Sequence, residues 1–336
     1  MLDSSPMAQT AEKFNPVPET LESRLGQFCK AAGDDLRLQI LRALARDSFG
    51  VTELCEIFST RQPAMSHHLK VLADAGLLSR RREGNSIFYR RSHFADDDSL
   101  AELFDKLMTI VDQVALSQAS IKAIAKIHAQ RGAASKAFFA ANSAKLNEHQ
   151  ELIATPTLYS ESLLEIVDGT SAAKNHWLEL GPGQGWLLPE MARRCDRVSA
   201  IDNSASMLDA AKTYCAEQGA ENIAFICGDS NIARNSKESA DLIITNMVLH
   251  HNPSPAVVIS DLASSLSDNG YLLISDLMSH DQSWTIDVCG DLWLGFDTND
   301  LHAWCRAAGL HPIASAYLSL RSGFQIQIQT YQRNGG

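Results

Sequence analysis

The stretch ELGPGQG at residues 179–185 decides the fold of the second half of the chain. An apolar strand pattern, residues 176–180, comes before it, and a helical pattern begins after it at Trp186. Glycines let the backbone turn sharply and approach a ligand without Cβ clashes. The first turn of a helix also presents N–H groups that have no partner within the helix. This order of strand, glycine loop and helix predicts a nucleotide-binding unit.

The residues after this loop alternate between strand and helix patterns. Such alternation predicts a parallel, doubly wound, Rossmann-like α/β sheet. The further strand candidates are residues 197–202, 223–228, 241–246 and 271–276, and the helical patterns cover residues 186–194, 204–218 and 255–266. Residues 324–331 alternate strictly between apolar and polar, which predicts an antiparallel strand added near the end.

Polar side chains end three of the predicted strands. Asp202 ends the second strand, about twenty residues after the loop, where a carboxylate can bind both hydroxyls of a ribose. Asp229 follows the third strand, in position to bond an adenine amine, and Asn246 ends the fourth. Ligands of open α/β sheets bind beyond the carboxyl ends of the strands, so we expect these residues at one site.

The spacing of the glycine loop distinguishes two classes of nucleotide-binding protein. Dinucleotide dehydrogenases carry G-x-G-x-x-G, whereas residues 179–185 follow acid-x-G-x-G-x-G. With residues 202–208, 227–229, 241–244 and 266–276, the loop resembles class I S-adenosylmethionine (SAM)-dependent methyltransferases over residues 176–335, and this interpretation is favoured over a dehydrogenase. The resemblance implies that SAM or S-adenosylhomocysteine (SAH) is bound by Glu179, Gly181, Gly183, Gly185, Asp202, Asn203, Met207, Asp229, Ser230 and Asn246.

The charge of the chain is divided unevenly. Residues 20–95 hold 12 Lys and Arg against 8 Asp and Glu, a net charge of +4, whereas the whole chain carries −11. The net charge of the basic segment, and not that of the whole chain, is therefore the charge that bears on nucleic-acid binding.

The basic segment has the pattern of a winged helix-turn-helix. Residues 20–46 predict two helices separated at residues 33–35, where an Asp is available as an N-cap, and a third short helix begins at Val51. A helix from about residue 61 to 75 follows, with Pro63 in its first turn and Gly76 after its end. Residues 77–91 then predict a β-hairpin with Arg80–Arg82 on one strand and Arg90 and Arg91 on the other.

The helix before the hairpin has one apolar and one polar face. Met65, Leu69 and Leu72 share the face that must pack inward. The polar side chains of the other face can reach a DNA major groove, and the arginines of the hairpin can lie along phosphates.

Residues 24–92 resemble the ArsR/SmtB regulators. SHHLKVLADAGL at residues 66–77 is similar to the recognition helix of that family, and RREGN at residues 81–85, through Tyr89, is similar to its wing. The resemblance implies binding to double-stranded operator DNA through Gln62, Ala64, Ser66, His67, Lys70, Arg81, Arg82, Asn85 and Tyr89. ArsR-like regulators fused to a methyltransferase-like domain form a bacterial group, and GDLWLGFD at residues 290–297 resembles it.

No metal site is predicted. Metal-sensing members of the family carry Cys-x-Cys in the helix before the turn, at positions occupied here by Gly50 and Thr52, and Cys55 stands alone. The seven cysteines form no Cys-x-x-Cys pair, which favours free thiols in a reducing cytoplasm over disulfides or zinc.

Four segments are predicted along the chain. A disordered leader, residues 1–19, lacks the features of a secretory signal. It precedes the winged helix at residues 20–95. A helical connector at residues 96–155 begins with a long helix from about residue 98, followed by a second helix to about His149. The methyltransferase-like domain covers residues 156–336.

Two functions are compatible with these segments. In the first, a transcriptional regulator binds SAM or SAH as a regulatory ligand. In the second, a methyltransferase acts on a small molecule, with His250 or His251 as the candidate base, although this pair more often shapes a loop. A homodimer is expected because a winged helix recognises one half-site. The apolar faces of the helices at residues 20–31 and 98–129 either form the dimer interface or pack on the methyltransferase-like domain, and the sequence is compatible with both.

Overall fold

The computed structural model describes residues 20–83, 86–95, 97–142 and 152–335. Its N-terminal part begins with four helices: α1 (Leu21–Ala32), α2 (Asp35–Ala43), α3 (Val51–Phe58) and α4 (Gln62–Asp74). Asp34 caps α2, because its carboxylate accepts a hydrogen bond from the backbone N–H of Arg37 at 2.9 Å. Pro63 lies in the first turn of α4, and Gly76 follows that helix with a φ of +73°. The predicted helices and their end signals are confirmed.

The wing follows as a hairpin of β2 (Leu78–Glu83) and β3 (Ser86–Arg91). A two-residue strand, β1 (Phe49–Gly50), pairs with β3 on its other side. The hairpin confirms the prediction, whereas β1 is too short to leave a pattern in the sequence. The four helices pack their apolar faces, with Ile40, Leu54, Leu69 and Leu72 at their centre, into one core.

The described part of the connector contains two helices, as predicted, but the second rather than the first is the longer one. It consists of α5 (Ala101–Val111) and α6 (Gln118–Asn142), separated by residues 112–117. The hydroxyl of Ser117 accepts a hydrogen bond from the N–H of Ser120 at 3.0 Å, so this serine caps the start of α6. Arg42 of α2 donates to the carbonyl of Val114 at 3.2 Å, which holds the break against the winged helix. The predicted helix end at His149 lies outside the described residues.

The C-terminal part contains a seven-stranded sheet in the order β6-β5-β4-β7-β8-β10-β9. The first five strands are parallel, and β10 is antiparallel to both neighbours. The strands are β4 (Trp177–Leu180), β5 (Val198–Asp202), β6 (Ile223–Cys227), β7 (Ala240–Asn246), β8 (Leu266–Leu277), β9 (Leu310–Ser319) and β10 (Gln325–Arg333). The Rossmann-like fold class and the antiparallel last strand are confirmed. The edge strand β9 was not predicted, because Pro312 and its exposed side chains hide the strand pattern.

Helices cover both faces of this sheet. They are α7 (Ser160–Gly169), α8 (Leu188–Ala192), α9 (Ala205–Glu217), α10 (Ser230–Asn235), α11 (Pro255–Ser264), α12 (Trp284–Cys289) and α13 (Thr298–Ala307). Strand β7 shows why two cores form, since Leu242 and Ile244 face one cluster while Ile243 faces the other. Among the described residues, no helix is both long and apolar enough to cross a membrane.

Candidate functional site

An open cavity lies beyond the carboxyl ends of β4 to β7. Its wall is formed mainly by the loops that follow these strands, where the sequence analysis expected a ligand. The lining residues are Ser135, Phe139, Leu180, Gly181, Gly183, Ile201, Asp202, Asn203, Ser204, Met207, Gly228, Asp229, Ser230, Met247, Val248, His251 and Asn252. Seven of the ten predicted cofactor residues are therefore brought together at one wall.

The glycines of the loop have different geometric reasons for lacking a side chain. Gly181 has a φ of +71°, and a Cβ there would lie 2.3 Å from Cγ2 of Val248. Gly183 has a φ of +56°, but a Cβ there would meet no atom within 4 Å and would project into open space. Gly185 does not line the cavity, because its Cβ position points at Ala211 of α9, 2.9 Å away. Gly183 thus leaves room for a ligand, whereas Gly185 allows close packing of the helix.

Asp202 is fixed at the end of β5 by backbone donors. Its carboxylate accepts a hydrogen bond from the N–H of Ser204 at 2.9 Å, and the N–H groups of Gly183 and Asn203 also bond to it. Burial nevertheless raises the pKa of Asp202, outweighing these donors. A half-buried carboxylate held in this way is suited to accept hydrogen bonds from the hydroxyls of a ligand.

Asp229 and Ser230 lie together at the start of α10. The exposed carboxylate of Asp229 accepts from the N–H of Asn231 at 3.0 Å and caps the helix. The hydroxyl of Ser230 donates to Asp261 at 2.8 Å, so this side chain is already bonded within the protein. Ser230 therefore lines the cavity, but its hydroxyl points to Asp261 of α11 and is not directed at a ligand.

Glu179 and Asn246 lie behind the cavity wall. Glu179 is 1 % exposed, and within the described residues its Oε2 atom has no hydrogen-bond partner. Burial, with the nearby Asp202 carboxylate, raises the pKa of Glu179 to about 8. Asn246 donates to the hydroxyl of Tyr159 at 3.3 Å, and its buried Oδ1 also finds no partner in the described part of the chain.

Two cavity residues come from the helical connector. Ser135 and Phe139 of α6 line the cavity, and the hydroxyl of Ser135 donates to the carbonyl of His251 at 3.2 Å. No local pattern in the sequence indicates these two residues, because nothing near them shows that a helix about 40 residues before the glycine loop folds over it. Met247, Val248 and Asn252 were also missed, although they follow a strand that was predicted correctly.

The polar face of α4 points away from the protein. Met65, Leu69 and Leu72 are buried, which confirms the predicted inward face. The predicted DNA contacts on this helix, Gln62, Ala64, Ser66, His67 and Lys70, are all exposed.

The wing residues are placed differently from one another. Arg81 donates to the carbonyl oxygens of Leu294 and Gly295, the latter at 2.6 Å, so its guanidinium contacts the C-terminal part. Arg82 is exposed on β2, and Asn85 lies outside the described residues. Tyr89 packs in the core of the winged helix with 9 % of its side chain exposed, which corrects the expectation that it faces DNA.

Comparisons with known proteins agree with both parts of the fold. The profile of a family described as "Methyltransferase domain" matches residues 148–315, half of the chain, and that of "Bacterial regulatory protein, arsR family" matches residues 34–80. The arsenical resistance operon repressor of Staphylococcus aureus is 35% identical over 79 residues, which are 24% of this chain and 76% of the repressor. The chain belongs to both families. It carries an ArsR-type helix-turn-helix domain joined to a methyltransferase domain.

Relatives of the methyltransferase domain are matched over a smaller share of their length. The ubiquinone biosynthesis O-methyltransferase of Coxiella burnetii is 30% identical over 115 residues, 34% of this chain, and the match spans about half (49%) of that enzyme. A solved structure, magnesium protoporphyrin IX methyltransferase of Synechocystis PCC 6803 with bound SAM, aligns with a TM-score of 0.42 and 19% identity over 57% of this chain and 82% of that one.

The two histidines predicted as candidate bases occupy different environments. His251 lines the cavity of the methyltransferase domain, whereas His250 lies behind it with 2 % exposure. Burial favours neutral His250, but the carboxylates of Asp276, 2.6 Å from Nδ1, and Asp291 overcome this and raise the pKa of His250 to about 9. Burial and the charge of His250 lower the pKa of His251 well below its usual range. The two shifts have opposite directions and favour the charged form of His250 and the neutral form of His251.

Helix α6 and the wing hold the two domains together. Arg131 of α6 lies over three rings, those of Phe49, Phe88 and Trp293, at 5.0–5.4 Å from their centroids. It also donates to the carbonyl of Pro253 at 3.4 Å, next to the cavity residue Asn252. One side chain thereby contacts the wing, the ArsR-type core and the methyltransferase domain.

The wing has a second contact with the methyltransferase domain. Arg90 of β3 forms an ion pair with Asp300 of α13, and Nε2 of His93 lies 2.9 Å from the same carboxylate. Asp300 is 2 % exposed, so its charge is removed from water and depends on these two partners. This placement differs from the expectation that Arg90 follows a phosphate backbone.

Proposed function

We propose that this protein is a transcriptional regulator in which the methyltransferase domain binds SAM or SAH and the bound ligand changes the placement of the winged helix. The observation that carries the proposal is the position of α6. Its Ser135 and Phe139 line the cavity, and its Arg131 contacts the wing and the ArsR-type core. A ligand can shift such an arrangement only by binding one state more tightly than another, and a helix in the cavity wall provides that difference.

The cavity residues fit a nucleoside that carries an amino acid. Gly183 leaves the space that such a ligand would fill, and Asp202 offers acceptors for ribose hydroxyls. Met207 and Asp229 line the cavity and would lie beside the adenine, while the Oε2 atom of Glu179, which has no partner among the described residues, suits a positive charge. Bound SAM would supply a methyl group on a positively charged sulfur, and SAH is the same molecule without it.

The DNA-binding form is proposed to be a homodimer. Large apolar side chains stay exposed on the first helix and the connector: Leu21 and Leu25 of α1, Leu103 and Ile110 of α5, and Ile121 of α6, between 39 % and 64 % exposed. Covering them with a second copy would present two recognition helices to a two-fold operator. The proposal retains the domain boundaries 20–95, 96–155 and 156–336.

A titration tests both halves of the proposal. Calorimetry with SAM and with SAH, each repeated with a duplex from the protein's own promoter, measures ligand affinity with and without DNA. We expect the affinity of SAM, SAH or both to change about five-fold or more when DNA is present. Lack of binding of either ligand at millimolar concentration would refute the cofactor assignment. Equal affinities with and without bound DNA would refute the regulatory coupling.

A second candidate function is methyl transfer to a small molecule. It is favoured by His251, a neutral imidazole in the cavity wall, and by the relatives whose names describe O-methyltransferases. A neutral imidazole can accept a proton from a hydroxyl group that attacks the methyl carbon. Release of SAH from SAM with a panel of phenols and alcohols, lost in His251→Gln, would support it. Ligand binding without turnover on this panel would favour the regulatory function.

A further inference from the structure

Three buried side chains of the methyltransferase domain point their donor atoms at one another. His250, His251 and Asp291 each offer one ligand atom, and these atoms lie within 4.8 Å of one another. Oδ1 of Asp291 is 3.7 Å from Nε2 of His250 and 3.6 Å from Nδ1 of His251. These separations are too long for hydrogen bonds, but two ligands that each lie about 2.1 Å from one ion have a similar spacing.

The carboxylate of Asp291 lacks the partners that a buried charge needs. It is 2 % exposed, and within the described residues neither of its oxygens accepts a hydrogen bond of good geometry. The hydroxyl of Thr285 lies near enough to oppose the rise that burial causes in the pKa of Asp291, but its hydrogen bond of good geometry goes to the carbonyl of Gln282 at 3.2 Å. A buried carboxylate without hydrogen bonds is unfavourable, and a cation bound directly to it would stabilise it more than the 3.7 Å contact to His250 does.

The neighbouring carboxylate orients His250 for metal binding. Asp276 lies 2.6 Å from Nδ1 of His250, and its two oxygens also accept from the N–H groups of Leu249 and Leu277 at 3.0 and 2.7 Å. A carboxylate that holds the Nδ1 proton leaves Nε2 as the ligand atom, which is the arrangement around most metal-bound histidines.

We propose that His250, His251 and Asp291 bind one divalent first-row transition-metal ion. Two imidazoles and one carboxylate suit Zn²⁺, Co²⁺, Ni²⁺ or Fe²⁺, whereas Mg²⁺ and Ca²⁺ prefer oxygen ligands. With neutral imidazoles, the charges of Asp276 and Asp291 balance a divalent ion. His251 would exchange its 3.2 Å contact to the carbonyl of Gly290 for the ion, and the ion would enter from the cavity that His251 lines.

The ion would join two segments that meet the wing and the cavity. The N–H groups of Leu292 and Trp293 already donate to the carbonyl of His250 at 3.0 and 3.1 Å. Two residues further on, Gly295 accepts from Arg81 of the wing. A metal bound to His250 and Asp291 would therefore fix the segment on which the wing rests. This inference does not depend on SAM binding.

The test is a Co²⁺ titration of the full-length protein after treatment with a chelator. Co²⁺ shows visible absorption from its coordination geometry and adds intense near-ultraviolet bands only when thiolates bind it, which separates this site from the seven cysteines. We expect one Co²⁺ per chain without thiolate bands, and an increase in melting temperature with Zn²⁺. Asp291→Asn and His250→Gln should each weaken binding by at least about ten-fold.

The control is His302→Gln. His302 is a half-buried histidine of α13, bonded to the hydroxyl of Tyr331 at 2.9 Å, and its loss should leave Co²⁺ affinity unchanged. Far-ultraviolet circular dichroism verifies that each variant folds, and His251→Gln replaces any variant that does not. The proposal is overturned if the wild-type protein binds no more Co²⁺ and Zn²⁺ than Asp291→Asn and His250→Gln do, or if its Co²⁺ spectrum carries thiolate bands.

Discussion

Arg131 donates two hydrogen bonds to the carboxylate of Glu53, from Nε at 3.0 Å and from Nη2 at 2.6 Å. Glu53 lies in the first turn of α3 and also accepts from the N–H of Gly50 at 2.8 Å. The pair therefore ties the helix that lines the cavity to the start of the helix-turn-helix. It offers a direct way to separate ligand binding from communication between the domains.

Replacing Arg131 by Met should uncouple the two domains. The change keeps much of the apolar stem but removes both bonds to Glu53 and the charge over three rings. We expect a loss of about 2 kcal/mol in unfolding free energy, because hydrogen bonds to a charged group are lost. SAM and DNA should each still bind, but the effect of one on the affinity of the other should fall to near one-fold, as measured by calorimetry.

Lys126→Met is the matched control for this variant. Lys126 also reaches from α6 to α3, where it pairs with Glu56, but both side chains are largely exposed. Its removal should change stability by less than about 1 kcal/mol and leave the coupling intact. If Arg131→Met retains the full coupling, communication through α6 is ruled out.

Gly183→Ala should remove ligand binding without unfolding the protein. The added methyl group meets no protein atom and projects into the space reserved for the ligand. We expect a stability cost of about 1 kcal/mol from the positive φ and at least a ten-fold loss of SAM affinity. Thermal unfolding and calorimetry measure the two effects.

Gly219→Ala separates backbone strain from ligand exclusion. Gly219 has a φ of +68° and likewise has no atom within 4 Å of a Cβ, but it does not line the cavity. It should show the same stability cost as Gly183→Ala and normal SAM affinity. Unchanged affinity in Gly183→Ala would place the ligand elsewhere.

Glu179 should make both stability and SAM binding depend on pH. Burial and the Asp202 carboxylate raise the pKa of Glu179 from 4.5 in a free side chain to about 8. The folded protein therefore holds this proton more tightly than the unfolded chain, so this group's contribution to stability falls as pH rises from about 4.5 to about 8. The unfolding free energy of ligand-free Glu179→Gln, compared with that of the wild type, should therefore be higher at pH 8.5 than at pH 5.5. The difference between the two pH values should be on the order of a few kcal/mol.

The same carboxyl group should respond to a positively charged ligand. Ionised Glu179 attracts the charge of SAM, so wild-type affinity should increase as pH approaches 8, and Glu179→Gln should show a flatter profile. Calorimetry in buffers of different ionisation enthalpy would detect the proton released on binding. An identical pH profile in the two proteins would show that Glu179 does not hold the ligand.

Asp300→Asn should release the wing from the methyltransferase domain. Arg90 and His93 would lose their shared carboxylate, and Arg90 could then reach a DNA phosphate. We expect tighter DNA binding at low salt. The slope of log affinity against log salt concentration should also be steeper by about one unit, because Arg90 adds one phosphate contact. Fluorescence anisotropy at several salt concentrations measures both.

A change of net charge alone must be distinguished from release of the wing. Asp287→Asn removes an exposed carboxylate of α12 and changes the net charge equally. It should leave the salt dependence near that of the wild type. If log affinity depends on log salt concentration with the same slope in Asp300→Asn, Asp287→Asn and the wild type, the contact between the wing and Asp300 does not affect DNA binding.

Much of the fold could be predicted because its signals are local. The period of apolar residues predicted α4 and the parallel strands, and Gly181 and Gly183 predicted the turn after β4. Asp202 was placed at the cavity by its distance from that loop alone. Two connector helices were predicted without a position for the break between them, and Ser117, a typical N-cap before α6, could have located it.

The contacts between the domains could not be predicted in this way. Arg81 and Leu294 are separated by 213 positions, and Ser135 and His251 by 116. No periodicity spans such distances, because each partner looks locally like an ordinary surface residue. Tyr89 was assigned to DNA for the same reason, since the sequence does not show that β3 turns it towards the core of the winged helix.

The position of Phe139 and Ser135 in the cavity wall has a consequence for both domains. A cut between the connector and the methyltransferase domain would leave the cavity without one side, so the wall of the cavity is complete only in the joined chain. A substitution in α6 can therefore alter both the cavity wall and the contacts with the winged helix. The winged helix and the methyltransferase domain thus depend on the side chains of one shared helix.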